Sequence, residues 1–296
     1  MSPAFNYLLK YRKIDVLNSM GNQERFALLQ EILQQPPEES VWRAIRELFA
    51  TWPDEREKEE ALDYADAHLS HWNDTLRHVT SAWGSLHSDG KVSSLGKLMR
   101  SIDLYRREQN GYTELTCIAN SSYLQNLKRL SIRRSEIYGG GCQNLARSPY
   151  LHNLTHLEIH RSEWIKEDDF AFLVNSPILE NLAFLKLSYM QLHDEDVAAL
   201  AQSPFLKRLT HLDLSQNGIR AKGVEAIAQA NKFQNLKELD LSYNWMEDAG
   251  AYELAKSPYL QNLEELNLCN TKLSESGKNA LKTAPQFQHT NIVFSK

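Results

Sequence analysis

Leucines recur in a fixed frame from the middle of the chain to its end. Aligned on the first leucine, the segments read LKRLSIRRS from Leu127, LTHLEIHRS from Leu154, LAFLKLSYM from Leu182, LTHLDLSQN from Leu209, LKELDLSYN from Leu236 and LEELNLCNT from Leu263. The first leucines therefore stand at a near-constant interval of about 27 residues, a self-similarity that marks a repeat architecture. A weaker copy, MRSIDLYRR, starts at Met99, one interval before Leu127. LxxLxL puts alternate residues on one side of a short strand, because strand side chains alternate with period two. Leu130 with Ile132, Leu212 with Leu214 and Leu239 with Leu241 therefore point into a core. A segment of helical period follows each strand. In AKGVEAIAQA the spacing assigns Val224, Ile227 and Ala228 to a buried stripe; in DAGAYELAKSP it assigns Ala249, Leu254 and Ala255. Ser-Pro at 148–149, 176–177, 203–204 and 257–258 ends the helix, since proline lacks a donor and restricts its predecessor. One such unit cannot bury its own apolar face, so the units must stack.

The segment 1–96 lacks this frame. Apolar residues recur there at helical spacing in FNYLLKYRKIDVL, RFALLQEILQQ, SVWRAIRELFATW, ALDYADAHLSHW and LRHVTSAWGSLH. Pro36-Pro37 and Trp52-Pro53 punctuate the run, and Asn73-Asp74 reads as the cap of the last helix. The expected organisation is an all-α domain over 1–96, joined through HSDGKVSS to a repeat domain over 97–296. That second domain holds about seven repeats, and QHTNIVFSK supplies a C-terminal cap strand through Ile292 and Phe294. The copy at Met99 is polar, so its outer edge needs cover, which the helical domain is expected to give. Trp42, Trp52, Trp72 and Trp83 read as core of the helical domain.

The repeated phrase resembles the leucine-rich repeat, in particular its ribonuclease-inhibitor-like class, whose long repeats each carry a true helix. The resemblance covers roughly residues 97–296 and implies an α/β fold, a right-handed solenoid with a curved parallel sheet and helices on the convex side. The asparagine that usually follows the strand is present as Asn217 and Asn244; Ser135, Ser162, Met190 and Thr271 hold its place elsewhere. LLQEILQQPPEES, residues 28–40, resembles the opening of a short helical domain that precedes leucine-rich repeats in many bacterial proteins, which points to a bacterial origin.

Composition removes several function classes. The 296 residues carry a net charge of −5, so no overall basic field recruits nucleic acid or anionic membrane. No run of 18 apolar residues exists to span a bilayer, and charges interrupt MSPAFNYLLKYRKIDVL where a signal peptide has an apolar core. The three cysteines, Cys117, Cys142 and Cys269, are widely spaced with no CxxC pair, which favours a reducing, cytoplasmic location.

Candidate chemistry is sparse. In HLEIH, His156, Glu158 and His160 share one strand face, but the histidines stand about 13 Å apart, too far to share one metal ion. Gly139-Gly140-Gly141 lacks the spacing of a phosphate loop; Gly141 aligns with Gly223, Gly250 and Gly277 near the entries of repeat helices, which is a structural turn position. Cys117 and Cys142 read as small buried residues and Cys269 as more exposed. No catalytic, cofactor or metal site is expected.

What remains is the face the strands present opposite their leucines, the concave face if the resemblance holds. Its candidate partner-binding residues are Arg129, Arg133, Arg134, His156, Glu158, His160, Arg161, Phe184, Tyr189, His211, Asp213, Glu238, Asp240, Tyr243 and Glu265. The early repeats are basic, the middle ones aromatic and the late ones acidic. Repeats one and five lie roughly 19 Å apart, beyond the Debye length of about 8 Å, so the two ends present separate fields. The expectation is a non-enzymatic scaffold or adaptor, monomeric on its own, that binds a protein through this face, as an inhibitor or regulated component of a bacterial complex. The alternative is a catalytic accessory such as a GTPase-activating protein of the same repeat class; that family has a strongly acidic tail, and this chain ends QHTNIVFSK.

Overall fold

The computed structural model describes residues 14–80, 87–88, 91–105, 111–134, 139–161 and 167–294. Trp83, Ser135 and Ser162 lie outside the described residues, as does most of FNYLLKYRKIDVL. The chain divides into two compact units, Met1–Ile102 with Ser121–Lys128, and Asp103–Asn120 with Arg129–Lys296.

The first unit is mainly helical, with α1 at Ile14–Ser19, α2 at Asn22–Leu33, α3 at Glu39–Ala50 and α4 at Glu55–His68. Asp54 starts α4 by accepting a hydrogen bond from the Glu57 N–H at 2.8 Å. Trp42, Ile45, Leu48 and Phe49 form the buried face of α3, and Trp52 and Trp72 are buried too, so three of the four tryptophans are core. The segment LRHVTSAWGSLH departs from its helical spacing: His78–Thr80 is a strand, β1. Asn73 accepts from both the N–H and the hydroxyl of Thr75 at 2.9 Å, an Asx turn that leads into this strand instead of capping a helix. The strand is anchored because the Trp42 indole donates to the His78 carbonyl at 2.7 Å. A short antiparallel pair follows, β2 at His87–Ser88 and β3 at Lys91–Val92. Next comes β4 at Ser101–Tyr105, where MRSIDLYRR predicts a strand.

One buried ionic cluster fixes this unit. Asp66 of α4 takes the guanidinium groups of both Arg77 and Arg100, the latter at 2.8 Å. Arg77 is fully buried; it also donates to the Leu98 carbonyl at 2.6 Å, and burial pulls its pKa below the ordinary value. Removing the carboxylate leaves a buried cation without its counter-charge, which is far costlier than losing a surface pair. Asp66→Ala should therefore cost about 3 kcal/mol in chemical denaturation. Asp63→Ala, which breaks the exposed pair with Lys97, should cost less than about 1 kcal/mol.

The second unit holds the repeats. Its further strands are β5 at Arg129–Arg133, β6 at His156–His160, β7 at Phe184–Ser188, β8 at His211–Asp213, β9 at Glu238–Asp240, β10 at Glu265–Asn267 and β11 at Asn291–Val293. Between them come α5 at Gly111–Ala119, α6 at Gly139–Ala146, α7 at Glu167–Val174, α8 at Asp194–Gln202, α9 at Ala221–Gln229, α10 at Glu247–Lys256 and α11 at Glu275–Thr283. From β4 to β11 the strands neighbour one another in chain order, and every pairing from β5 onwards is parallel. The register never slips: Leu130, Leu157, Leu185, Leu212, Leu239, Leu266 and Ile292 stand side by side. Val224, Ile227 and Ala228 of α9 are buried as their spacing predicts. In α10 the buried stripe is instead Gly250, Ala251 and Leu254, with Ala249 exposed. Five positions before Leu254, Ala249 is rotated off the face that positions three and four back share.

Side chains also join one repeat to the next. The serine of three of the four Ser-Pro pairs does more than precede a helix stop: the Ser148, Ser176 and Ser257 hydroxyls donate to the carbonyls of Ala119, Ala146 and Ala228 in the repeats before. Gly223 has a comparable reason. Its N–H donates to Asp194 Oδ1 at 3.0 Å, and a Cβ there would stand 2.7 Å from that oxygen. The two asparagines form a short ladder. Asn244 Oδ1 accepts from the N–H groups of Asn217 and Ile219, and its amide donates to the carbonyls of Leu214, Leu241 and Ser242. Asn217 repeats this towards Met190, Leu192 and Leu187. Asn244→Ala should leave buried backbone groups of two repeats unpaired and cost upward of about 2 kcal/mol in a denaturant titration. A surface substitution such as Lys222→Ala should stay within about 0.5 kcal/mol.

Candidate functional site

Because the leucines face the core, the residues between them form three rows on the open side of the sheet. The first row runs Arg129, His156, Phe184, His211, Glu238, Glu265; the second runs Ser131, Glu158, Lys186, Asp213, Asp240, Asn267; the third begins Arg133, His160, Ser188. In the first row the rings of His156 and Phe184 stack at 5.6 Å between centroids, and Phe184 and His211 lie 5.9 Å apart. His211 Nε2 in turn stands 3.3 Å from Glu238 Oε1. Aromatic and charged contacts thus run unbroken across four strands.

The charge order along the sheet is partly neutralised within it. Arg133 lies 3.4 Å from Glu158 and 3.6 Å from Asp103, and Lys186 pairs with Asp213. Asp240 accepts from the Asn267 amide at 2.9 Å. The exposed carboxylates of Glu238 and Glu265 stand in register on neighbouring strands, a like-charge juxtaposition that the isolated protein tolerates at a cost. The acidic end is therefore concentrated on β9 and β10. Of the basic end, Arg134 donates to the Tyr105 hydroxyl at 2.8 Å and Arg161 lies 4.9 Å over the Tyr189 ring.

The rim beyond the strands has a feature that leucine spacing does not announce. Arg134, Arg161, Tyr189, Gln216, Tyr243 and Asn270 all adopt positive φ, between 50° and 58°. This conformation costs a non-glycine residue roughly 1–2 kcal/mol. The return is visible: the N–H of each of the first five donates to a carbonyl at the end of the next strand or two residues past it, from Arg134 to His160 at 2.9 Å through to Tyr243 to Cys269 at 2.8 Å. This fixes the rim side chains on rigid backbone. Tyr189, Tyr243 and Trp245 are exposed there, the last two by more than half. Trp245 escapes the sequence reading because it falls outside the LxxLxL frame, two positions past the rim; its only signal is a large ring between Asn244 and the buried Met246.

His160 lies within the third row, packed against the neighbouring strand. Its Nδ1 is 2.7 Å from the Ser188 hydroxyl. Burial, then the Lys186 cation, lower its pKa from the ordinary imidazole value, against the pull of Glu158. A histidine held neutral in the folded state contributes stability that is present above its unfolded pKa of about 6.5 and lost as pH falls through the lower folded value. The denaturation midpoint should therefore drop below about pH 6.5 more in the natural protein than in His160→Gln.

Among the described residues no group of three or more His, Cys, Asp or Glu side chains is arranged to hold a metal ion. Cys117 and Cys142 are buried and Cys269 is partly exposed. No described helix is long and apolar enough to cross a membrane.

A parallel strand and a helix in each repeat, with a leucine row inside and side-chain ladders between turns, define a repeat protein built by stacking. The Leucine Rich repeat family model matches residues 207–228 and 234–255, which hold β8 with most of α9 and β9 with most of α10. The second unit thus carries leucine-rich repeats. Among solved structures it is similar to an internalin from Listeria monocytogenes, with 16% identity over 70% of this chain and a TM-score of 0.40. The chain spans 58% of the length of that internalin. It is also similar to the actin-binding site 2 of leiomodin-1, with 16% identity over 51% of this chain and 87% of that one, and a TM-score of 0.37. A search of curated proteins returns no match.

Proposed function

We propose that the protein is a non-enzymatic scaffold whose repeat portion, residues 97–296, holds a protein partner on the open face of the sheet, with residues 1–96 as a separate helical portion. The observation that carries this is the rim. Tyr243 and Trp245 are 55% and 53% exposed on backbone that the neighbouring repeat holds rigid. Large rings presented on a fixed frame bury much area at little entropic cost, which is the property of interface anchors. The in-register carboxylates of Glu238 and Glu265 support the same reading, since a partner cation would relieve their repulsion. The role is that of an adaptor or inhibitor in a bacterial cytoplasmic complex.

Capture of the partner from extracts of the host, followed by binding kinetics on variants, tests this. Tyr243→Ala should raise the dissociation rate about tenfold or more, as for a buried anchor. Glu238→Lys with Glu265→Lys should slow association and change its salt dependence. Lys222→Glu on α9 should change neither rate. Wild-type kinetics in all the open-face and rim variants would remove this face from recognition.

A further inference from the structure

A cleft of about 650 Å³ lies along the rim of the second unit, with Tyr189 and Trp245 among its lining residues. Its origin is a gap in a periodic row. The rim positions read Tyr189, Gln216, Tyr243, and two positions further on they read Gln191, Gly218, Trp245. The middle repeat thus carries no ring, and its Gln216 and Gly218 also line the cleft. Tyr189 and Trp245 belong to repeats two strand spacings apart, roughly 10 Å along the sheet. Each ring already carries a cation from the repeat on its outer side: Arg161 from the repeat before Tyr189, and Lys272, 4.0 Å from the Trp245 ring centroid, from the repeat after. Both rings line the cleft, where a cation within ~6 Å of an aromatic centre is attracted to it.

The charges select the occupant. Asp194 and Glu195, at the start of α8, line the cleft against the single cation Arg220. Asp194 is held in place because its Oδ1 accepts from the backbone N–H groups of Arg220 at 2.7 Å and Gly223 at 3.0 Å. Glu195 is exposed. Elsewhere on the same unit, the later strands present Glu238, Asp240 and Glu265 on the open face. We propose that this cleft takes an arginine side chain of the partner protein, its guanidinium against the aromatic lining of Tyr189 and Trp245 and paired with Glu195 and Asp194. A guanidinium is planar, stacks on an aromatic face and carries in-plane donors for carboxylates, whereas a compact ammonium stacks poorly. A neutral sugar or aromatic side chain would fill the cleft but leave the carboxylates unmatched. The cleft is of ordinary ligand-site size, about 300–1,000 Å³. This deepens the scaffold reading and rests on it for the source of the arginine, but the site can be tested without the partner.

The full chain labelled with ¹⁵N is titrated with acetyl-Gly-Arg-Gly-amide while the Trp245 indole N–H signal, assigned with Trp245→Phe, is followed. Parallel titrations use the same peptide with citrulline, with lysine and with tryptophan in place of arginine, and methyl glucoside. The arginine peptide should shift the Trp245 signal saturably and leave the other tryptophan signals in place. The citrulline and lysine peptides should bind about tenfold more weakly, as should the arginine peptide to Glu195→Gln and to Tyr189→Ala. Equal binding of the citrulline peptide, stronger binding of the tryptophan peptide or the glucoside, or no shift with the arginine peptide would each overturn the assignment. Binding that survives Glu195→Gln and Tyr189→Ala unchanged would do the same. Failure of these titrations leaves recognition through the open face standing, whereas failure of the open-face variants to alter capture leaves the arginine site standing.

Discussion

Each turn of the repeat leaves backbone donors and acceptors at the end of its strand that only the next turn can satisfy. In an isolated unit they would face water, and inside the stack they would be buried without partners, at a cost near that of a lost hydrogen bond. Stacking resolves both problems at once. The rim N–H groups from Arg134 to Tyr243 reach the following strand, and Asn217 and Asn244 bridge the loops behind it. Ser148, Ser176 and Ser257 tie the helix ends. The leucine row supplies the apolar drive, but these polar links set the register in which the leucines meet.

The same constraint shapes the proposed binding surface. A rim residue held at positive φ by its neighbour cannot swing freely, so Tyr189 and Tyr243 present their rings on fixed backbone. Repetition then makes small departures informative. Gln216 and Gly218 separate Tyr189 from Tyr243 and Trp245 along the rim, and a cleft lies there. Glu238 and Glu265 break the alternation of charge that pairs Arg133 with Glu158 and Lys186 with Asp213. Both departures lie in the later repeats.

Much of this was legible in the leucines. Their constant interval implies one strand and one helix per turn, and the alternation within LxxLxL assigns the open face position by position. What was not legible depends on contacts between repeats. The spacing marks Ser257 as the residue before a helix-stopping proline, but the Ala228 carbonyl it binds belongs to the turn before. Gly223 looks like a turn glycine until Asp194 is seen against it. Trp245 belongs to no periodic position, so no frame announces it. Arg133 reads as a free steering charge and proves to be ion-paired. In the helical portion, the apolar residues of LRHVTSAWGSLH fit a helix by spacing, yet the Asx turn at Asn73 and the Trp42 indole at His78 hold a strand there.

The central claim is that the partner sits on the rim and open face and not on the helices. Its most direct test is site-specific photo-crosslinking in host extract, with a benzophenone amino acid placed at position 243 in one sample and at position 222, on α9, in another. The account predicts that a single discrete partner protein is crosslinked from position 243 and not from position 222. Crosslinking of the partner from position 222, with none from position 243, would contradict it.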